Sequence, residues 1–244
     1  MIEVFLEKAK GGYMAHLFSH LGCVARARSA RGLEKAVAEA LGRYEEIARR
    51  RNFAATPVRR PFKIKVVEEV SGMPIWESGN PAALFGPDLE ALTPEAVQSG
   101  FRIMEGLRAE LLAKVRELEP AQLQAQRDPN RRSLGQTLEH LADCEWWYLS
   151  RIDDDLPYFE DKCPKGIFPR LAWLLDKARQ YLLELPVERQ ALVFVPHRHP
   201  TSDPAERWTP RKVLRRLLEH EFEHLSAIDR DIAAAKKARH RAGG

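Results

Sequence analysis

The sequence predicts an α+β protein in which a small β-β-β-α-β unit precedes an antiparallel four-helix bundle. Three observations carry that expectation. Apolar and polar residues alternate at the very start of the chain and again from Phe62, the period of a half-buried strand. One long stretch of helical period lies between those strands. From Thr93 onward four more stretches repeat that helical period, most of them behind a recognisable start signal.

Ile2, Val4 and Leu6 alternate with polar neighbours and predict a first strand. Gly11-Gly12 supplies a turn, and Tyr13 to Phe18 predicts a second strand paired with the first. A short third strand is expected at Cys23 to Arg28. A helix over Gly32 to Arg50 follows from Ala36, Val37, Ala40, Leu41, Tyr44 and Ile47, and Phe62-Lys-Ile-Lys-Val-Val predicts the last strand. The unit is assigned to residues 1–70. Residues 71–92, SGMPIWESGNPAALFGPDLEAL, are punctuated by glycine and proline and predict a linker. Residues 93–244 form the helical part. Thr93-Pro94-Glu95 is an N-cap followed by proline in the first turn. Ile103, Leu107, Leu111, Val115 and Leu118 then mark one stripe, which Pro120 ends. The second helix opens at Ser133, with Gln136 completing a capping box, and runs to about Asp153. The third begins near Pro169 with Leu171, Leu174, Leu175, Ala178 and Leu182 on one face. The fourth opens at Thr209-Pro210 and continues to about Lys237, with a fraying tail beyond it. Four amphipathic helices of this length argue for an antiparallel bundle.

At 244 residues, 44% hydrophobic and 30% charged, the chain can bury a real core. No apolar run is long enough to cross a bilayer, so no membrane partner is expected. The start lacks the pattern of a signal peptide, which makes cytoplasmic the expected location. Cys23, Cys144 and Cys163 are odd in number and widely spaced, with no CxxC, so a disulfide framework is not expected. A net charge of +4 with scattered arginines is weak support for a nucleic-acid partner, and none is expected.

The chemistry concentrates in LEHEFEHL, residues 218–225, which contains a literal H-E-x-x-H. In zinc proteases two histidines one turn apart hold the metal and the glutamate activates water. Such a protease needs a third ligand downstream. The metzincin positions are Ala227 and Arg230 here, and no glutamate follows His224 in this sequence. The protease reading therefore fails. What survives is the pair His220 and His224 on one helix face, continued by Leu217 and Ile228 and directed at the bundle interior. Two desolvated imidazoles need partners. Either each bonds a carboxylate or carbonyl, or the two share a metal. The best third ligand is His140, on the face of the second helix that also carries Leu134, Thr137, Cys144 and Trp147. Three imidazoles leave a coordination position open, as in reactive rather than structural sites. Cys144 is read as a fourth ligand or, preferably, a small buried residue. Glu221 and Glu223 leave the helix at other angles, solvated or paired with arginine, with Glu221 as general base the lesser reading. His197 and His199 form HxH in a proline-rich loop and are expected to be exposed. His16 and His20 are expected at surface or edge positions.

SLGQTLEHLADCE followed by VLRRLLEHEFEHLSAI resembles the DinB-like family, bacterial four-helix bundles related to the YfiT-type metal-dependent hydrolases. The resemblance covers about residues 93 to 236. It implies a metal held by His140, His220 and His224, and it implies either hydrolysis or S-transfer from a low-molecular-weight thiol. Many members follow the last histidine with Arg-Gly-Gln, where this chain has Leu225-Ser226-Ala227. GGYMAHLFSHLGCVARARSARGLEKAVAEAL is similar to HicB-like domains, known from antitoxins. It departs from them at His20-Leu21-Gly22, where the family has Leu-Pro-Gly.

The expected function is that of a metal-dependent enzyme, a hydrolase or thiol S-transferase, with zinc or nickel as the divalent transition metal. The expected partners are a small-molecule substrate, with a low-molecular-weight thiol among the candidates, and a second copy in a homodimer. The competing expectation is a non-catalytic, metal-stabilised binding protein whose N-terminal unit contacts a protein or nucleic acid.

Overall fold

The computed structural model describes residues 1–72, 82–126, 130–157, 162–198 and 206–242, with side chains of the last helix as far as residue 233. β1 (Ile2–Ala9) and β2 (Gly12–His16) form an antiparallel hairpin across Gly11, whose φ of 102° explains the glycine. β3 (Val24–Ala27) pairs antiparallel with β2. α1 (Ala30–Arg51) then carries the chain over to β4 (Ile64–Ser71), which runs parallel to β1 from the Ile2–Ile64 register. The sheet order is β3-β2-β1-β4.

Leu33, Val37, Leu41, Tyr44 and Ile47 recur at helical spacing and bury one face of α1 against Val4, Leu6 and Met14. β1 was expected to be half-buried, but Val4, Phe5, Leu6 and Glu7 are all buried. The reason is that its second face is also covered. Phe5 meets Phe18 and Phe85 edge-on, with ring centroids 4.6 and 5.5 Å away, and Glu7 bonds His16. Phe85 comes from the glycine- and proline-rich tract. Residues 73–81 of that tract lie outside the described residues, while its last part holds a single 3-10 turn (Gly86–Leu89) with Phe85, Asp88 and Leu92 buried.

The helical region follows: α2 (Pro94–Val115), the short α3 (Pro120–Gln124), α4 (Leu134–Leu149), α5 (Ile167–Leu183) and α6 (Pro210–Ala242). The start signals act as the sequence implies. Thr93 Oγ1 accepts the amide of Ala96. Ser133 and Gln136 bond each other's backbone amides, and Thr209 Oγ1 accepts the amide of Lys212. α2 touches α1, α5 and α6, and α4 touches α5 and α6. Leu107, Leu111 and Val115 of the predicted stripe are fully buried, and burying each such side chain stabilises by about 1.5–3 kcal/mol.

α6 departs from the amphipathic expectation. Every residue from 212 to 222 is buried, charged ones included. Its apolar side meets α2 and α4, while its polar side is covered by the N-terminal unit and by the 3-10 turn that carries Asp88. Gly22 lies so close to α6 that a Cβ there would stand 2.9 Å from Leu218 Cβ. Tyr44 and Phe222 stack edge-on at 5.7 Å. Residues of both regions, from Val4 to Ile228, form one buried apolar cluster. No helix among the described residues is long and apolar enough to cross a membrane.

Candidate metal centre

The capping box at Ser133 sets the phase of α4, which turns His140 toward α6. On α6, His220 and His224 are one turn apart and share that face. His220 is buried, while His140 and His224 are half-buried. The three rings converge through the same atom. His220 Nε2 is 3.2 Å from His140 Nε2 and 3.0 Å from His224 Nε2. Nitrogens at about 2.0–2.1 Å from one tetrahedral zinc stand roughly 3.3–3.4 Å apart, so the spacing fits a shared divalent ion. Hydrogen bonding satisfies the trio less well. His220 Nε2 has a single lone pair or a single proton to offer two neighbours. Among the described residues this is the only group of three potential donors whose atoms lie within 4.8 Å of one another.

The electrostatics suit a ligand. The pKa of His220 is held well below its usual value by burial, then by the neighbouring His224 and His140, and by Arg216 and Arg132. Its imidazole is therefore neutral at physiological pH, the form that donates to a metal. Tyr148 packs against the His220 ring at 5.7 Å. Cys144 Sγ lies 3.5 Å from Nδ1 and 3.7 Å from Nε2 of His140, but it stands outside the group of three. None of the three cysteines forms a disulfide.

The glutamates of H-E-x-x-H follow the arginine-paired reading. Both oxygens of Glu221 accept from Arg108 of α2, at 2.7 and 3.1 Å, and Arg108 also holds Glu145 of α4 and the carbonyl of Leu171. Glu223 pairs with Arg26 at 2.6 Å and with Arg216 at 3.3 Å. Of the loop histidines, His197 is exposed as expected. Its amide and Nδ1 face Asp154, and His199 lies outside the described residues.

His16 and His20 are corrected from surface or edge positions to the interior. His20 is 4% exposed, with Nε2 2.8 Å from the Thr56 carbonyl oxygen. His16 is fully buried, with Nδ1 2.7 Å from Glu219 and Nε2 3.0 Å from Glu7. The neighbouring Arg215 bonds Asp88 at 2.7 and 2.8 Å and Glu219 at 3.0 Å. Nothing in the sequence analysis anticipates this buried network, because charged residues spaced like Lys212, Arg215, Arg216 and Glu219 ordinarily form a solvated face. Arg108 was missed as well, although its place four residues after Met104 and three before Leu111 is a signal that could have marked it as buried.

A cleft of 770 Å³ opens over His140 and His224, and its walls include Arg131, Arg132, Gln136, Asp143 and Asp231. The three imidazoles thus form a buried-to-open donor set beneath a polar cavity large enough for a small molecule. A family model described as the DinB superfamily matches residues 103–228, which contain all three histidines. No curated protein and no solved structure matches the chain.

Proposed function

The chain belongs to the DinB superfamily, and on that premise we propose that it is a metal-dependent enzyme acting on a small molecule in the cleft above His140, His220 and His224. The observation that carries this reading is the convergence of three Nε2 atoms from two helices, at 3.0 and 3.2 Å, beneath an open cavity. The three histidines are the proposed ligands, and imidazole donors suit zinc or nickel. Such an ion supplies Lewis acidity, lowering the pKa of a water for hydrolysis or of a thiol for group transfer. The chain's own residues do the rest. Burial keeps His220 neutral, and Arg108 fixes the carboxylate next to it in sequence, which holds that turn of α6 in place. Because both Glu221 oxygens are engaged by Arg108, another group must move the proton.

Two finer readings accompany this one. α2, α4, α5 and α6 constitute the family's four-helix bundle, which the contacts α2–α6, α2–α5, α4–α5 and α4–α6 support. The N-terminal unit is HicB-like, supported by its β-β-β-α-β order and its Gly11-Gly12 hairpin.

Elemental analysis of the purified full chain tests the proposal. About one equivalent of a divalent transition metal is expected, lost in His140→Ala and in His224→Ala while the fold is retained by circular dichroism. A wild-type protein that neither carries nor takes up such a metal would overturn it. In the cobalt form, a visible spectrum that changes on adding a small thiol supports an open site. A spectrum inert to every added ligand favours an ion that only tightens the helices.

A further inference from the structure

We infer that the groove where α1, β3 and α6 meet is a second binding site, for a small molecule with a compact anionic head and a short apolar body. Arg43 and Arg230 hold the head, and Phe222 receives the body. The inference does not depend on the metal reading, because this groove and the histidine cleft share no lining residue.

Small side chains make the space. Ala36 and Ala40 of α1 and Ser226 of α6 line a cavity of 390 Å³, and the buried Val24, Ala25 and Phe222 give it an apolar floor. That volume lies within the range of small-molecule pockets. Phe222 falls between His220 and His224 in sequence, so on a helix it leaves from a different face than theirs.

The charges along the groove are uneven. Toward the start of both helical stretches they are matched: Arg26 bonds Glu223 at 2.6 Å, and Glu39 stands 3.8 Å from Lys35. Further along, the carboxylates are oversubscribed. Asp229 answers both Arg43 and Lys114, each at 2.8 Å, and Glu110 beyond it is shared by Lys114, Arg50 and Arg51. Arg230 adds one more cation there, and among the described residues it has no ion pair or hydrogen bond. It stands close enough to act on Arg43. The pKa of Arg43 is lowered, first by burial, and the charge of Arg230 adds to that against the pull of Asp229. Two neighbouring guanidiniums with too few carboxylates make a place for an anion, which their planar forks hold by charge-assisted hydrogen bonds. Arg43 also lies over the Phe222 ring, 5.6 Å from its centroid, so the cationic head site adjoins the apolar floor. A phosphate, sulfonate or carboxylate on a short apolar stem fits both.

The test is calorimetric titration of the purified full chain with phenyl phosphate. Inorganic phosphate, benzyl alcohol and benzylamine serve as controls for the head, the body and the sign of charge. One equivalent of phenyl phosphate is expected to bind, roughly ten- to a hundredfold more tightly than benzyl alcohol and more tightly than phosphate, with no binding of benzylamine. Arg230→Gln should remove most of that advantage without changing the melting temperature or the metal content, since Arg230 is exposed, and Arg230→Lys should restore part of it. Ala40→Leu, which fills the groove from α1, should weaken phenyl phosphate while leaving every charge in place. No binding of phenyl phosphate, or binding of benzylamine as tight, overturns the inference. Binding that survives both Arg230→Gln and Ala40→Leu overturns it too, because the anion then sits elsewhere, the histidine cleft included. A short single-stranded oligonucleotide that binds more tightly than phenyl phosphate, and is lost in Arg230→Gln, would assign the patch to nucleic acid and overturn the small-molecule ligand.

Discussion

At Glu145 two carboxylates compete for one guanidinium. Arg108 bonds Glu221 through two contacts and Glu145 through one, and the second oxygen of Glu145 has no partner among the described residues. Burial raises the Glu145 pKa to about 7 in spite of the pull of Arg108, with the Glu221 charge adding to the rise. The consequence for stability has a definite sign. A carboxyl whose folded pKa lies above its unfolded value of 4.5 favours the folded state most at low pH. That contribution shrinks as pH rises from about 4.5 to about 7, by on the order of 3 kcal/mol in total. Glu145→Gln keeps the shape and the acceptor for Arg108 while removing the charge. Urea midpoints should fall between pH 5 and 7.5 in the wild type and change much less in the variant. At pH 7.5 the variant should be at least as stable. Parallel pH profiles for the two proteins would sink the argument.

Between elements, the contact of β2 with α6 rests on ions rather than on apolar stacking. His16 of β2 joins Glu7 of β1 to Glu219 of α6 with both ring nitrogens, and all three side chains are buried. Burial opposes protonation of His16 and so does Arg215, but Glu219 and Glu7 outweigh them, so its pKa is raised. Glu219, facing Arg215, His16 and Arg216, is held far below the usual carboxylate range against its own burial. Removing the imidazole leaves two buried carboxylates short of a partner, and His16→Ala is expected to cost about 3–5 kcal/mol. The His16 contribution is complete below pH 6.5 and is lost as pH rises through its raised folded value. Denaturant titration of wild type and His16→Ala at pH 6 and pH 9 checks both parts. The gap between the two proteins should narrow at the higher pH. Gly22, in the turn that leads into β3, tests sterically how closely the N-terminal unit approaches α6. Its φ of 92° disfavours any side chain, and a Cβ there would press on Leu218. Gly22→Ala should cost about 1–3 kcal/mol, and a cost under a few tenths would show that the turn before β3 and α6 have room between them.

Over the whole molecule, what could be read from the sequence was what depends on local chemistry. The caps at Thr93, Ser133 and Thr209, the α1 stripe and the hairpin at Gly11-Gly12 are each decided within a few residues. The approach of His140 to His220 was legible too, because same-face spacing on two helices leaves few ways to satisfy three imidazoles. What stayed hidden depends on what covers a polar face. Lys212, Arg215, Arg216 and Glu219 look solvated in any local pattern, and only the sheet, the 3-10 turn at Asp88 and the chain before α6 that close over them make them interior. The same closure buries both faces of β1 and brings Asp88 from the glycine-rich tract onto Arg215. This arrangement has a consequence for unfolding. The apolar cluster and the ion network both cross from the N-terminal unit into the helical region, so exposing either region strips partners from the other. A single cooperative transition is therefore expected. Cys23, buried immediately before β3, reports on the N-terminal unit through thiol labelling mapped by peptide mass. Trp147 and Trp208, in mutual contact at 5.7 Å, report on the helical region through fluorescence. Coincident midpoints in urea are the expected result. Labelling of Cys23 at a clearly lower urea concentration than the fluorescence change would show that the sheet detaches first, and that the buried ions on α6 tolerate water better than their burial implies.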